Sequence, residues 1–443
     1  MTVKSKFHLT AFQIIIIAFF SLIMTGALLL MLPISTRGAS GASFADALFT
    51  STSAVCVTGL VVRDTAVYWS VFGKCVILLL IQIGGMGIIT VYIITAATFE
   101  KKIGLKQRAV MQESVSAAHI GGIVNYTYFI VRTVLIAEGL GALFLMPAFM
   151  GEFGFLKGLG YSVFHSVSAF CNAGFDLMGE KEQFSSMTSY SDVISVNVTL
   201  MALILVGGIG FGTLDDIKRN KLTIKKYSLQ SKLVLTTTAV LLILPFIYFF
   251  FGEFAQFPLK QRILLSAFQT VTPRTAGFNT ADLTKMSSAG VTVTILLMLI
   301  GGSTGSTAGG MKMTTVAVLT VSAFSIFMRR KDATAYNRRL AAETIHSAAA
   351  VFYMYLMLFA VSSLIISRLD GLPLLGCMFE SASAIATVGL TLGLTTKLSM
   401  ISRCIIMFLM FFGRVGGLTL IFAAVSKTNT ANARLPLENV GVG

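Results

Sequence analysis

Apolar runs long enough to cross a bilayer, which takes roughly 20 helical residues each, recur along the whole 443-residue chain and leave no room for a large water-soluble domain. They predict eight spans, at about 11–32, 71–97, 127–150, 192–213, 232–252, 289–327, 346–367 and 401–425, the sixth of them interrupted. The first follows Lys4 and Lys6 but exceeds the apolar stretch of a secretory signal and lacks a small-residue cleavage site, so it is read as a retained span. Each pair of spans encloses a further segment that opens with about 10 to 14 mildly apolar residues, as at 43–55 and 158–171. That length suits a half-membrane helix that enters and turns back.

The enclosed segment repeats. Ser53-Ala54-Val55-Cys56-Val57-Thr58-Gly59 matches Ser168-Ala169-Phe170-Cys171-Asn172-Ala173-Gly174 and Ser383-Ala384-Ile385-Ala386-Thr387-Val388-Gly389, with Phe49, Phe164 and Phe379 at the same offset before each glycine. The remaining copy, Phe268-Gln269-Thr270-Val271-Thr272-Pro273-Arg274-Thr275-Ala276-Gly277, is one residue shorter. The marker glycines are about 115, 103 and 112 residues apart. A second glycine cluster follows each marker inside the next span: Gly84-Gly85-Met86-Gly87, Gly207-Gly208-Ile209-Gly210, Gly301-Gly302, and Gly413 with Gly416-Gly417. The expected architecture is therefore an all-α polytopic membrane protein of four tandem helix–pore loop–helix repeats around one central pore. Their divisions fall at 1–100, 101–220, 221–340 and 341–443.

Composition agrees, since 55% of residues are hydrophobic, 12% are charged and the mean hydropathy is +0.83. A net charge of +15 would point to nucleic acid in a soluble protein. Here Lys and Arg gather between spans, at Lys101, Lys102, Lys106 and Arg108, at Lys218, Arg219, Lys221, Lys225 and Lys226, and at Arg329, Arg330, Lys331, Arg338 and Arg339. The positive-inside rule puts these loops and both termini in the cytoplasm of a cell-membrane protein, with no nucleic-acid partner. The five cysteines are scattered without metal-ligand spacing. No H-E-x-x-H, nucleophile elbow or clustered carboxylate pair occurs in the spans, so no enzyme chemistry and no cofactor in this chain are expected.

Non-helical backbone at membrane depth is tolerated only where protein buries it or water reaches it. Four half-helices ending in glycine turns would set carbonyl oxygens around one axis, where they replace the hydration shell of a cation. No carboxylate lies in the turns, which argues against a ring for divalent ions. An alternative is a secondary transporter of another cation or small solute, sodium-permeable or sodium-coupled. Such proteins also use repeats and broken helices, but inverted repeats would not put every marker glycine on one side.

Thr387-Val388-Gly389-Leu390 resembles the potassium-channel filter sequence, and the four degenerate copies together resemble the Trk/Ktr/HKT superfamily of potassium transporters, most closely the membrane subunit of bacterial Ktr systems. Val271-Thr272-Pro273-Arg274-Thr275-Ala276-Gly277-Phe278-Asn279, Phe170-Cys171-Asn172-Ala173-Gly174-Phe175 and Gly413-Arg414 are further marks of that resemblance. It implies potassium uptake through a pore in each subunit of a homodimer. It also implies a cytosolic RCK-type ring that binds a regulatory nucleotide, with sodium as an activating or coupled ion. This chain has no G-x-G-x-x-G between a strand and a helix, so the ring would be a separate protein. The filter carried over by the resemblance comprises Val57, Thr58 and Gly59; Asn172, Ala173 and Gly174; Thr275, Ala276 and Gly277; and Thr387, Val388 and Gly389. Three of these copies depart from T-V-G.

The sixth span is interrupted by Gly301-Gly302-Ser303-Thr304-Gly305-Ser306-Thr307-Ala308-Gly309-Gly310, followed by Met311-Lys312. Each glycine costs a helix roughly 1 kcal/mol against alanine, so the span must open there. A kink for close helix packing is one reading, and a flexible intramembrane loop beneath the filter is the preferred one. The resemblance implies that this loop gates the pore. Arg414, inside an apolar run, is expected near the cavity, where it opposes permanent cation occupancy; Lys312 either acts with it or snorkels to the cytoplasmic boundary. His165 and Glu380 occupy matching places in two half-helices and are read as pore-helix hydrogen-bonding or packing residues. Asp64 and Arg274 either brace the turns or are surface charges.

Overall fold

The computed structural model describes residues 10–38, 40–87, 123–221 and 223–424, together with Glu438. Lys4, Lys6, the basic cluster at 101–108 and the end of the second expected span lie outside these residues. Among the described residues four helices are long and apolar enough to cross a membrane, and each is the first span of a repeat: α1 (Ala11–Met31), α4 (Ile123–Phe153), α8 (Leu229–Tyr248) and α12 (Ala342–Asp370). Each is followed by a half-helix: α2 (Phe44–Val55), α5 (Phe155–Phe170), α9 (Leu259–Val271) and α13 (Leu374–Ile385).

The second spans are shorter: α3 (Val71–Met86), α6 (Ile194–Ile209), α10 (Ser288–Leu299) and α14 (Met400–Val415). Serine starts three of them, with Ser70, Ser287 and Ser399 hydroxyls accepting the N–H of Gly73, Gly290 and Ser402. Their ends depart from the expected pattern. The fourth and eighth spans were expected to run unbroken through 213 and 425, but they stop at Gly210 (φ 95°) and Gly416 (φ 90°). The chain resumes as α7 (Phe211–Asn220) and α15 (Gly417–Ala424), the former turned by 94°. A left-handed dihedral of this kind suits glycine and ends an α-helix. The third repeat breaks instead over the long run before α11 (Met313–Phe327). A two-stranded hairpin, Thr334–Ala335 with Arg338–Arg339, joins α11 to α12.

The packing closes on itself. Each first span packs on its own half-helix, and each second span packs on the half-helix of the next repeat. Thus α3 contacts α5, α6 contacts α9, α10 contacts α13, and α14 returns to α2. In three repeats a glycine makes the approach close enough. A Cβ on Gly84, Gly207 or Gly413 would collide with the carbonyl oxygen of Val55, Phe170 or Ile385, the last residue of the adjacent half-helix of the same repeat. Charged side chains tie the repeats near the N-terminal ends of the half-helices. Glu180 pairs with Arg37 at 3.1 Å and with Lys157, and Asp46 pairs with Arg63 at 3.0 Å and with Arg403 at 3.6 Å.

A ring of four backbone turns above a glycine-rich break

Each half-helix ends in a turn with the same alternation of backbone handedness. Val57 (φ 49°), Asn172 (φ 56°), Thr275 (φ 67°) and Thr387 (φ 52°) are left-handed, and so are Gly59 (φ 90°), Gly174 (φ 68°), Gly277 (φ 83°) and Gly389 (φ 94°) two residues later. The residue between them, Thr58, Ala173, Ala276 or Val388, keeps a negative φ. Such alternation turns successive carbonyls toward one side of the chain, where an extended strand would send them to opposite sides. For a β-branched residue such as Val57 a positive φ costs about 1–3 kcal/mol, and it is held by the surroundings.

The motif's first residue does much of that holding. The Ser53 and Ser383 hydroxyls accept the N–H of Gly59 and Gly389, both at 3.0 Å, and the Ser168 hydroxyl donates to the Phe175 carbonyl at 2.7 Å. In the third repeat, one residue shorter, Thr272 takes the place of Ser168 and donates to the Phe278 carbonyl. The N–H groups of Val57, Thr58, Asn172, Ala173, Thr387 and Val388 return to carbonyls of their own half-helices. These six donors are therefore consumed, whereas none of the carbonyls of the twelve turn residues accepts a hydrogen bond from a described residue. The side-chain oxygens Thr58 Oγ1, Asn172 Oδ1, Thr275 Oγ1 and Thr387 Oγ1 are likewise buried without a donor.

The turns meet in a closed cycle. A Cβ on Gly59 would lie 3.0 Å from Gly174 Cα, one on Gly174 2.9 Å from Gly277 Cα, one on Gly277 3.4 Å from Gly389 Cα, and one on Gly389 3.0 Å from Gly59 Cα. The carbonyls of Ala173, Ala276, Val388 and Thr58 stand in the same contacts. Eight of the twelve expected filter residues thus meet directly, each preceded in the chain by Val57, Asn172, Thr275 or Thr387, at the C-terminal ends of four half-helices whose dipoles favour a cation.

Two half-helix side chains, His165 and Glu380, brace the chain leaving the second and fourth turns. His165 Nε2 accepts the Leu177 N–H at 3.1 Å. Glu380 accepts from the Thr391 hydroxyl at 2.5 Å, the Leu392 N–H at 3.1 Å and the Thr395 hydroxyl at 2.6 Å. Asp64 accepts from Ala66 N–H, Val67 N–H and, across the repeat boundary, Phe184 N–H at 2.8 Å. Arg274 is 4% exposed and reaches Thr238 Oγ1 at 3.3 Å, so the surface-charge reading fails for it. Glu138 was missed by the sequence reading. It accepts from Gln82 at 3.2 Å and from the Cys171 thiol at 3.8 Å, behind the second turn.

The glycine-rich break lies directly against the ring. Its two ends are joined, with Gly301 N–H donating to Met311 O at 2.8 Å and Met313 N–H donating to Gly302 O at 3.0 Å. Its body is held by the breaks of its neighbours: Ser303 N–H donates to Gly208 O at 2.9 Å, Thr307 N–H to Gly207 O at 3.2 Å, and Gly310 N–H to Gly413 O at 3.0 Å. Asn172 Nδ2 donates to Thr307 Oγ1 at 3.4 Å, and a Cβ on Gly309 would strike the Thr387 hydroxyl. A simple kink makes no such contacts. Arg414 donates to the carbonyls of Thr307 and Gly84 and, at 3.0 Å, to that of Gly85. Lys312 does not snorkel away, because its Nζ donates to Ala308 O at 2.7 Å. On the side of the break away from the turns is a cavity of about 350 Å³ lined by Thr304, Gly305, Ser306, Lys312 and Arg414.

This arrangement can strip water from a cation in the ring and bar its way beneath. Comparison with known proteins agrees in class. The profile of the TrkH family, described as a cation transport protein, matches residues 4–433. The potassium/sodium uptake protein NtpJ of Enterococcus hirae is 38% identical over 454 residues, covering 100% of this chain and 99% of that protein. The Ktr system potassium uptake protein B of Bacillus subtilis is 38% identical over 437 residues, covering 97% and 96%. In structure, the chain is similar to the potassium transporter TrkH from Vibrio parahaemolyticus, with a TM-score of 0.75, 19% sequence identity, and coverage of 96% of this chain and 87% of that one.

Proposed function

Because the chain belongs to the TrkH family of cation transport proteins, we propose that it carries potassium into the cell as the ion-conducting membrane subunit of a Ktr-type uptake system. It is a multi-pass membrane transporter and not an enzyme. The observation that carries the reading is the closed cycle of four turns whose carbonyls meet no donor among the described residues. Such a ring offers oxygens in place of a hydration shell and contains no carboxylate, which suits a large, weakly hydrated monovalent ion. The ion sites are formed by Val57, Thr58, Gly59, Asn172, Ala173, Gly174, Thr275, Ala276, Gly277, Thr387, Val388 and Gly389. The first position is unlike in the four turns: Asn172, Thr275 and Thr387 supply a side-chain oxygen and Val57 does not, which favours fewer complete sites than a symmetric channel has.

The break at 301–310 is the gate, with Arg414 and Lys312 as fixed positive charges at its cytoplasmic face. The repeat divisions at 1–100, 101–220, 221–340 and 341–443, the homodimer, cytoplasmic termini and a cytosolic nucleotide-binding ring belong to the same reading. The name of the Enterococcus hirae relative supports admission of sodium as well. The test is growth of a bacterium deficient in potassium uptake at low potassium, with this chain expressed alone or beside a candidate ring. Rescue is expected with the ring present. Failure in both cases, with the chain correctly inserted, overturns potassium uptake.

A further inference from the structure

A second cavity, also of about 350 Å³, opens beside the gate between α8, α11 and α12. Its wall is chiefly apolar, from Leu233, Val318, Leu340, Ala348 and Val351, and it ends at the hydroxyls of Thr304 and Thr314. Those two hydroxyls lie 3.0 Å apart, and Thr304, Thr314, Thr315 and Val351 line both this cavity and the one beneath the ring. The mouth is set in the basic loops of the third repeat. Leu340 follows Arg338 and Arg339 of the hairpin and is fixed there by its N–H, which donates to Ala333 O at 2.9 Å. Lys232, one residue before Leu233, holds its Nζ 5.9 Å from the centre of the Tyr336 ring on the same hairpin. Asp332 is already paired with Arg339 at 3.6 Å, whereas exposed Arg338 has no ion pair among the described residues.

We propose that this crevice is a binding site for an anionic phospholipid of the cytoplasmic leaflet, with one acyl chain between α8, α11 and α12 and the phosphate headgroup between Lys232 and Arg338. A water-soluble anion gains nothing from the apolar wall, and a zwitterionic lipid gains little from the cations. Basic pockets between spans on the cytoplasmic side suit anionic headgroups. The chain end would rest against Thr304, so occupancy supports the closed position of the break; that consequence rests on the gate reading, whereas the site itself does not.

The test is native mass spectrometry of the full-length chain with added phosphatidylglycerol or phosphatidylcholine. One phosphatidylglycerol retained per subunit, in preference to phosphatidylcholine, is expected. Lys232→Gln and Arg338→Gln should each weaken retention about fivefold, which corresponds to ~1 kcal/mol for a cation beside an anionic headgroup. Ala348→Phe should abolish it by filling the crevice without touching either cation. Equal retention of phosphatidylcholine by the unaltered chain overturns the proposal, as does unchanged retention in variants of unchanged melting temperature. Displacement of the lipid by inorganic phosphate would show a free-anion site, and a cross-link between two Arg338→Cys copies would show that a second chain covers the mouth. Either result also overturns it.

Discussion

The Thr307 hydroxyl donates to the Phe170 carbonyl at 2.9 Å, so the middle of the glycine-rich break is tied to the C-terminal end of the second repeat's half-helix. The same hydroxyl receives the Asn172 amide, and the Thr307 carbonyl receives Arg414. Thr307 therefore touches the second repeat's half-helix and turn through its side chain and Arg414 through its backbone. Thr307→Val keeps the shape and removes the hydroxyl. On the gate reading, with a net hydrogen bond worth about 1 kcal/mol, the closed state should lose roughly fivefold in population. Rubidium flux into vesicles without any partner should rise accordingly, and an unchanged flux would remove Thr307 from the latch.

Arg414 draws its three acceptors from two other repeats, Gly84 and Gly85 from the first and Thr307 from the third. A guanidinium spans them with fixed planar geometry, whereas the point charge of a lysine does not. Arg414→Lys keeps the charge beneath the ring and loses the bridge; Arg414→Met loses both. Both variants should leak more than the parent chain, Met more than Lys. Equal leakage in the two would mean that charge contributes nothing beyond the bridge.

Deleting residues 303–307 removes the segment held by Gly207 and Gly208 and leaves the four turns covalently intact. On the gate reading, flux should rise and potassium should still be preferred over sodium. A folded deletion chain with equal or reduced flux contradicts a blocking role.

Where the sequence repeats, the fold was legible: the serine that opens the first and fourth marker segments and the glycine that closes each are the two ends of one hydrogen-bonded turn, Ser53 with Gly59 and Ser383 with Gly389. The long break was legible because five glycines among ten small residues cannot hold a helix. The stops at Gly210 and Gly416 were hidden, because apolar residues continue on both sides and hydropathy does not register the sign of φ. The partners of Arg414 were hidden for another reason. They are backbone carbonyls exposed by helix breaks elsewhere in the chain, and backbone groups leave no trace in residue identity. Glu138 was missed because a single carboxyl within a long apolar helix shows no spacing to its partners Gln82 and Cys171, which come from other elements.

Glu380 accepts three donors from the segment that follows the fourth turn, those of Thr391, Leu392 and Thr395. Glu380→Ala would leave these buried or half-buried donors without an acceptor, at about 1–3 kcal/mol for a buried group. The melting temperature of the detergent-solubilised chain should fall by several degrees, and the preference for potassium over sodium should narrow as the turn loosens. A lowered melting temperature with unchanged ion preference would restrict Glu380 to stability.

Gly389 and Gly277 test the ring itself, and they differ in a way that makes the test sharp. Both have positive φ, so any side chain is strained at either position. At Gly389 a Cβ strikes the Thr58 carbonyl and lies 3.0 Å from Gly59 Cα, whereas at Gly277 it strikes the Val388 carbonyl and lies 2.9 Å from Cα of its other neighbour, Gly174. Gly389→Ser therefore displaces a carbonyl of the first turn, the one that lacks a side-chain oxygen at its first position. Gly277→Ser displaces one from the fourth turn, which has Thr387 there. If an ion is held at that first position by carbonyls and side-chain oxygens together, the first turn, whose side-chain oxygen Thr58 Oγ1 comes one residue later, has less to spare there, and Gly389→Ser should lose more potassium preference than Gly277→Ser. Competition of sodium against rubidium uptake measures both. Unchanged preference in the two folded variants would take these turns out of the ion path, and a larger loss in Gly277→Ser would show that side-chain oxygens do not contribute to the sites.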